Sequence, residues 1–250
     1  KSLSLEEYIN PFYFFTFMKK IIVVDFSGTL IKPFVAEKAN QIRYKTLGIK
    51  LPSLTQQKRD HATKHHYDVL KAFISKKFGI IDRMKIILLQ RDGKELLLSG
   101  RNVTTLIMTD MFRDCMYKVA QRYRLKIFTD GILTSLRAIQ KKGYSLAIVS
   151  GIRKDIITGV LAISRCPVRF DFIYGQDPFL TRDDNQTLIN DLKKHGKIWY
   201  VIGDKFDDLE PAKRIKAKSI FLKGGHPVGG EEQFADYSIS SAKELLTIIQ

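Results

Sequence analysis

Cysteine is scarce in this chain: 250 residues hold only Cys115 and Cys166. Two thiols make neither a disulfide framework nor a metal-ligand spacing, so both read as reduced, as in a cytoplasmic protein. Long apolar runs are missing as well. None reaches the roughly 18 residues that cross a bilayer, which argues against a membrane partner. Residues 1–17 lack the basic start and small-residue cleavage site of a secretory signal. Acidic charge is also short, with 26 Asp and Glu against 42 Lys and Arg and a formal net charge of +16. There is no internal repeat and no low-complexity segment. What is there is an ordinary globular composition, 44% apolar and 27% charged, in a chain long enough for one large domain or a core with a smaller one inserted.

The positive charge is unevenly placed. Residues 32–128 carry 21 Lys and Arg against 8 Asp and Glu, most of the excess. Such an excess is either a solvated helical surface or an electropositive cover that steers small anions toward a site. Nucleic acid would use the same charge, but no nucleic-acid motif accompanies it, so a small anionic partner is the expectation. Residues 1–17, with the aromatic run Pro11–Phe17, read as an N-terminal arm or as sequence upstream of a start at Met18. The arm is a candidate contact for a homodimer.

Hydrophobic patterning divides the remainder. Ile21–Val24 is a short aliphatic, β-branched run, the mark of a buried strand. Lys32-Pro33 opens a helical stretch to about Leu47, and a second helix is expected up to Phe78, carrying His61, His65 and His66 on a polar surface. Asp92-Gly93 between two apolar runs signals a β-hairpin. Helical spacing returns from about Val103 to Tyr123. From Gly131 onward, helix and strand alternate: strands at Ser145–Ser150, Phe170–Tyr174, Ile198–Ile202, Ser219–Leu222 and Tyr237–Ser240, with helices between. Alternation of this kind predicts an α/β fold, a Rossmann-like parallel sheet covered on both faces. The mainly helical cap expected at 32–128 interrupts a core made of 18–31 and 129–250.

Three strands end in chemistry. The first runs into Asp25-Phe-Ser-Gly-Thr29, the second into Ser150-Gly151, and the third into Gly203-Asp204-Lys-Phe-Asp207-Asp208. The carboxyl ends of parallel strands are where ligands bind in such sheets. Gly28 permits a turn that brings main-chain N–H groups toward a small anion. Asp25 and Asp204 should meet at one edge, and two carboxylates there repel unless a hard cation such as Mg²⁺ lies between them.

In this order the three stretches resemble the haloacid dehalogenase superfamily of phosphatases and phosphotransferases. The resemblance runs from about Lys19 to the C-terminus, apart from the segment between the first two motifs. It implies that Asp25 is the nucleophile, forming an aspartyl-phosphate, and also a Mg²⁺ ligand. It gives the Ser27 carbonyl and the Asp204 side chain to the metal. Asp208, rather than Asp207, would hold a metal-bound water or a basic residue. Gly28, Thr29, Ser150 and Gly151 would hold the phosphoryl group, Gly151 at a helix start. Asp207 and Asp208 have an alternative role as caps of the helix that begins there, and Ser150 as a cap of its own.

Two departures stand out against the family pattern. The expected Lys before Gly203-Asp204 is replaced by Arg182, with Lys154 in reserve; Arg keeps the charge but not the reach of Lys. Ser27 stands where most family phosphatases place an acid–base Asp, and serine cannot do that work at neutral pH. The function expected from the resemblance is Mg²⁺-dependent hydrolysis of a small phosphorylated metabolite through Asp25. The alternatives are a phosphonate hydrolase using a cap lysine, and a catalytically weakened phosphate-binding or regulatory protein.

Overall fold

The structure is a computed structural model that describes residues 19–47, 97–98, 101–176, 185–225 and 229–250. Its centre is a six-stranded sheet. The strands are β1 (Lys19–Val24), β4 (Tyr144–Arg153), β5 (Phe172–Gln176), β6 (Gly196–Gly203), β7 (Lys218–Leu222) and β8 (Tyr237–Ile239). They lie in the order β5-β4-β1-β6-β7-β8, and every pairing is parallel. Two further short strands, β2 (Leu97–Leu98) and β3 (Arg101–Asn102), pair antiparallel. Asp92-Gly93 and the histidine-bearing helix lie outside the described residues, as do many of the cap lysines invoked by the phosphonate alternative.

The pleat of β1 accounts for the helices on both sides of the sheet. Ile22 and Val24 enter one hydrophobic cluster, Ile21 and Val23 the other. Each such side chain contributes roughly 1.5–3 kcal/mol by leaving water. The first cluster is closed by α1 (Phe34–Leu47), α2 (Val103–Tyr123), α3 (Ile132–Lys141), α4 (Lys154–Ile163) and the short α7 (Leu245–Ile248), through residues such as Val35, Met116, Leu136, Val160 and Leu245. The second is closed by α5 (Asn185–Leu192) and α6 (Phe206–Arg214), through Leu188, Ile189, Leu192 and Ala212. The predicted parallel α/β core is therefore present. Of the segment 32–128, both described ends share the first cluster with β1.

Several details position the carboxyl edge. After β1 the chain turns tightly: Leu30 N–H donates to the Asp25 carbonyl at 3.1 Å and Ile31 N–H to that of Phe26 at 2.9 Å. The departing and returning segments then pair, Lys32 N–H to the Ile127 carbonyl at 2.8 Å and Thr129 N–H to the Leu30 carbonyl at 3.0 Å. On the returning side, buried Arg153 donates to Asp155 at 2.7 and 2.9 Å and to Asp110 at 2.7 Å, tying α4 to α2.

One expectation is corrected by β4. The strand runs on to Arg153, so Gly151 is a strand residue and the helix starts at Lys154. Arg153, not Ser150, occupies the N-cap position. The reason is a register shift between Ser150 and Arg153 against β5. It presses the Ile152 carbonyl onto Gly175, where a side chain would collide.

Candidate active site

In the sheet order, β1 connects toward β4 while β6, on its other side, connects toward β7. The chain thus reverses direction between β1 and β6, the point at which parallel sheets open a crevice at their carboxyl ends. Asp25 follows β1 and Asp204 follows β6, and Asp25 N–H donates to the Ile202 carbonyl at 2.9 Å, locking the two strand ends together. Asp208 joins them from the first turn of α6. The three residues are 6%, 0% and 8% exposed. Each offers a carboxylate oxygen within 4.8 Å of the other two.

Three anions at that separation repel by about 3 kcal/mol per pair at an effective dielectric near 20. The protonation equilibria register the conflict. Burial, then the carboxylates of Asp208 and Asp204, hold Asp25 well above the usual carboxylate range, while Lys205 and the Phe26 main chain act in the other direction. Burial, then Asp204, pushes Asp208 up to about 7, opposed by Lys205 and by main-chain hydrogen bonds with Asp204 and Lys205. Without compensating charge, the cluster relieves itself by taking up protons.

Local sequence explains how the carboxylates are held. Gly28 has φ of 97°, which disfavours any residue with a side chain, and a Cβ there would overlap the Asp204 carboxylate. Gly225 approaches Asp204 as closely from another side, and Gly203 does the same for Asp208. Thr29, fully buried, donates its hydroxyl to Asp204 Oδ1 at 3.3 Å. Asn185, at the start of α5, donates to Asp208 Oδ1 at 3.1 Å. Among the described residues, the other oxygen, Asp208 Oδ2, is buried with no hydrogen-bond partner. An orphaned carboxylate oxygen beside two further carboxylates is a donor set suited to a hard divalent cation such as Mg²⁺.

The cluster opens into a cavity of about 530 Å³. Asp25, Ser27, Ser150, Gly151 and Asp208 line it, so five of the residues singled out in the sequence converge. Ser150 is 2% exposed, and its hydroxyl oxygen accepts from Ile152 N–H at 3.5 Å. The remaining expected residues are distributed differently. Gly28 N–H is spent on the Ile31 carbonyl at 2.8 Å, and the Thr29 hydroxyl on Asp204. Lys154 is exposed at the start of α4 and is not among the residues lining the cavity. Arg182 lies outside the described residues. Helix α6 begins at Phe206, so Asp207 and Asp208 lie in its first turn instead of capping it from outside. Asp207 is exposed and Asp208 buried.

Sequence reasoning missed Asn185 and Lys205. Lys205 lines the cavity and is the cation that acts on both Asp25 and Asp208. Its position directly after Asp204 was the available signal. Asn185 carried no such signal, because the 23 residues separating it from Asp208 become a contact only when α5 packs beside α6.

Comparison with known proteins agrees with this fold. The family model for haloacid dehalogenase-like hydrolases matches residues 92–222, just over half of the chain. A phosphoglycolate phosphatase from Aquifex aeolicus is 25% identical over 153 residues, covering 57% of this chain and 71% of that protein. Among solved structures, a haloacid dehalogenase-like family hydrolase from Streptococcus pneumoniae superposes with a TM-score of 0.59 at 15% identity, over 93% of this chain and 99% of the other. A HAD-hydrolase from Bacillus subtilis, solved bound to magnesium, gives a TM-score of 0.60 at 14% identity, over 93% and 99%. At these identities the structures speak for the fold. No helix among the described residues is long and apolar enough to cross a membrane.

Proposed function

The chain belongs to the haloacid dehalogenase-like hydrolase family, and on that premise we propose that it is a Mg²⁺-dependent phosphohydrolase acting on a small phosphorylated metabolite. The observation that carries the proposal is the meeting of Asp25, Asp204 and Asp208 within 4.8 Å, beside a cavity lined by Asp25, Asp208, Ser150 and Lys205. The similarity to a phosphoglycolate phosphatase supports the phosphoester class.

The Asp25 carboxylate attacks phosphorus from the side opposite the leaving oxygen. The bond to that oxygen breaks, its electron pair leaves on the alkoxide, and an aspartyl-phosphate forms. The alkoxide takes a proton from the substrate's monoanionic phosphoryl group or from solvent water. Water then attacks the phosphoryl group, releasing inorganic phosphate and regenerating Asp25. Splitting one displacement into two is the gain from covalent catalysis. The Ser150 hydroxyl donates to the phosphoryl oxygens, and the Lys205 ammonium offsets their charge. Asp25, Asp204, Asp208 and the Ser27 carbonyl would hold Mg²⁺, whose positive charge would keep Asp25 ionised and reactive. Arg182, which precedes α5 in the sequence, is a further proposed phosphate ligand. The basic segment 32–128, expected from its sequence to be mainly helical, would act as a cap over the site, drawing in anionic substrates.

Ser27 favours one further reading. It lines the cavity where the acid–base carboxylate of most family phosphatases would stand, so a protein that binds phosphate and turns over weakly is the alternative. The deciding experiment is phosphate release from a broad phosphoester panel, with Mg²⁺ and with EDTA, for wild type and Asp25→Asn. Turnover that requires both Mg²⁺ and Asp25 is expected. Phosphate affinity without any Mg²⁺-dependent product would replace the enzyme reading with the binding one.

A further inference from the structure

One wall of the cavity has no task in phosphoryl chemistry. Phe206, the first residue of α6 and two places after Asp204, lines the same cavity as Asp25 and Ser150, yet 41% of its surface stays exposed. Its ring is not loose. Phe234 packs against it in a T-shaped contact, with centroids 4.6 Å apart and planes at 77°. The Lys213 ammonium sits 5.2 Å from the Phe234 ring centre. An aromatic ring held in one orientation beside a ligand site is prepared for stacking, because little rotamer entropy remains to be lost.

The rest of the wall has a definite character. Glu210, one turn along α6 from Phe206, lines the cavity with a side chain 28% exposed, and it accepts from Arg214 Nε at 2.6 Å. A carboxylate of this kind accepts hydrogen bonds from sugar hydroxyls, and Arg214, which offsets its charge, lines the cavity beside it. The cavity, at about 530 Å³, falls in the range that encloses a whole drug-sized ligand, well beyond a phosphoryl group with two carbons attached.

We propose that Phe206 is a stacking platform for the leaving group and Glu210 its hydroxyl acceptor, so that the preferred substrates are phosphomonoesters of ring-bearing alcohols, nucleoside 5′-monophosphates in particular. The inference rests on the phosphohydrolase reading and narrows its substrate class. It runs against the compact acid ester named by the Aquifex relative, since such an ester leaves Phe206 uncovered.

The test compares kcat/KM for adenosine and uridine 5′-monophosphates, phenyl phosphate and 2-phosphoglycolate in wild type, Phe206→Ala, Phe206→Trp and Glu210→Gln. Stacking energies of this type correspond to about a tenfold effect per ring. Wild type should favour the nucleotides over 2-phosphoglycolate by at least about tenfold. Phe206→Ala should lower that ratio about tenfold, chiefly through KM, and Phe206→Trp should restore it. Phenyl phosphate should respond to Phe206 but not to Glu210→Gln, separating ring from sugar. Wild-type preference for 2-phosphoglycolate, or an equal loss on every ester in Phe206→Ala, would overturn the platform. If no ester is hydrolysed, the phosphohydrolase reading fails, and the platform is judged by calorimetric titration of Asp25→Asn protein. Adenosine 5′-monophosphate binding more tightly than 2-phosphoglycolate, with the difference lost in the Phe206→Ala background, supports it; equal binding overturns it.

Discussion

Gly28 lies so close to Asp204 that any Cβ on it would overlap the carboxylate. Two constraints coincide at this residue: a φ of 97° that side chains resist, and a contact surface that is itself a proposed metal ligand. The glycine in the first motif is therefore matched to the aspartate of the last one, 176 residues away in the sequence. Gly28→Ala should fold with a loss of about 1–3 kcal/mol from backbone strain. Its Mg²⁺ requirement should move to higher concentration and phosphate release should fall at least about tenfold, because Asp204 must shift to make room. Unchanged Mg²⁺ dependence would show that Asp204 is not held where the structure puts it.

Ser27 sets the second expectation. With no carboxylate at this place, breakdown of the aspartyl-phosphate lacks its usual base, an effect worth on the order of 10²–10⁴ in rate. Wild-type protein should therefore release leaving group in a burst equal to the enzyme concentration, followed by slow turnover. Ser27→Asp should accelerate the slow phase at least about tenfold and erase the burst. Rapid-quench measurement on an aryl phosphate reads both quantities. A linear wild-type time course would mean that dephosphorylation is not the slow step.

Legibility in the sequence differs residue by residue. The strand at Ile21–Val24 is legible because a continuous β-branched run suits a buried strand better than a helix or a loop, and Asp25 and Asp204 follow as strand-end carboxylates. The choice of Asp208 over Asp207 follows from the family spacing and not from local hydrophobic pattern. The physical reason is the start of α6 at Phe206, which turns Asp208 inward and leaves Asp207 exposed. The role of Gly151 is hidden because a strand continuing through a register shift looks, in sequence, like a strand ending at a Ser-Gly turn. Asn185 and Phe206 owe their places to tertiary packing, and such contacts leave no local periodic trace.

Asn185 supplies the third prediction. Its side-chain amide donates to Asp208 Oδ1 at 3.1 Å, which leaves Oδ2 for the cluster. Supporting hydrogen bonds of this kind are worth about 10–100-fold in metal affinity. Asn185→Leu should raise the Mg²⁺ concentration for half-maximal phosphate release by about that factor, with a smaller effect on kcat at saturating metal. An effect on kcat alone, with the Mg²⁺ titration unmoved, would instead place Asn185 against the substrate.

The raised protonation equilibria of the cluster make a prediction about stability. Asp208 titrates at about 7 in the folded, metal-free protein, against an unfolded value near 3.9. Between those values the folded state holds more protons than the unfolded one, so metal-free stability falls as pH rises through that window. Asp25 shifts in the same direction. The contribution is complete below about pH 4 and lost above about pH 7, the reverse of a carboxylate held in an ion pair. Mg²⁺ binds the ionised form and should cancel the trend. Thermal melts in EDTA across about pH 4.5 to 8 should therefore show a decline toward the alkaline end that Asp208→Asn reduces and millimolar Mg²⁺ reverses. Mg²⁺ stabilisation should itself be greatest at about pH 8 and fade below about pH 6, where protons displace the cation. A metal-free protein whose stability rises steadily from about pH 5 to 8, with no shift in Asp208→Asn, would mean that the three carboxylates do not meet as described.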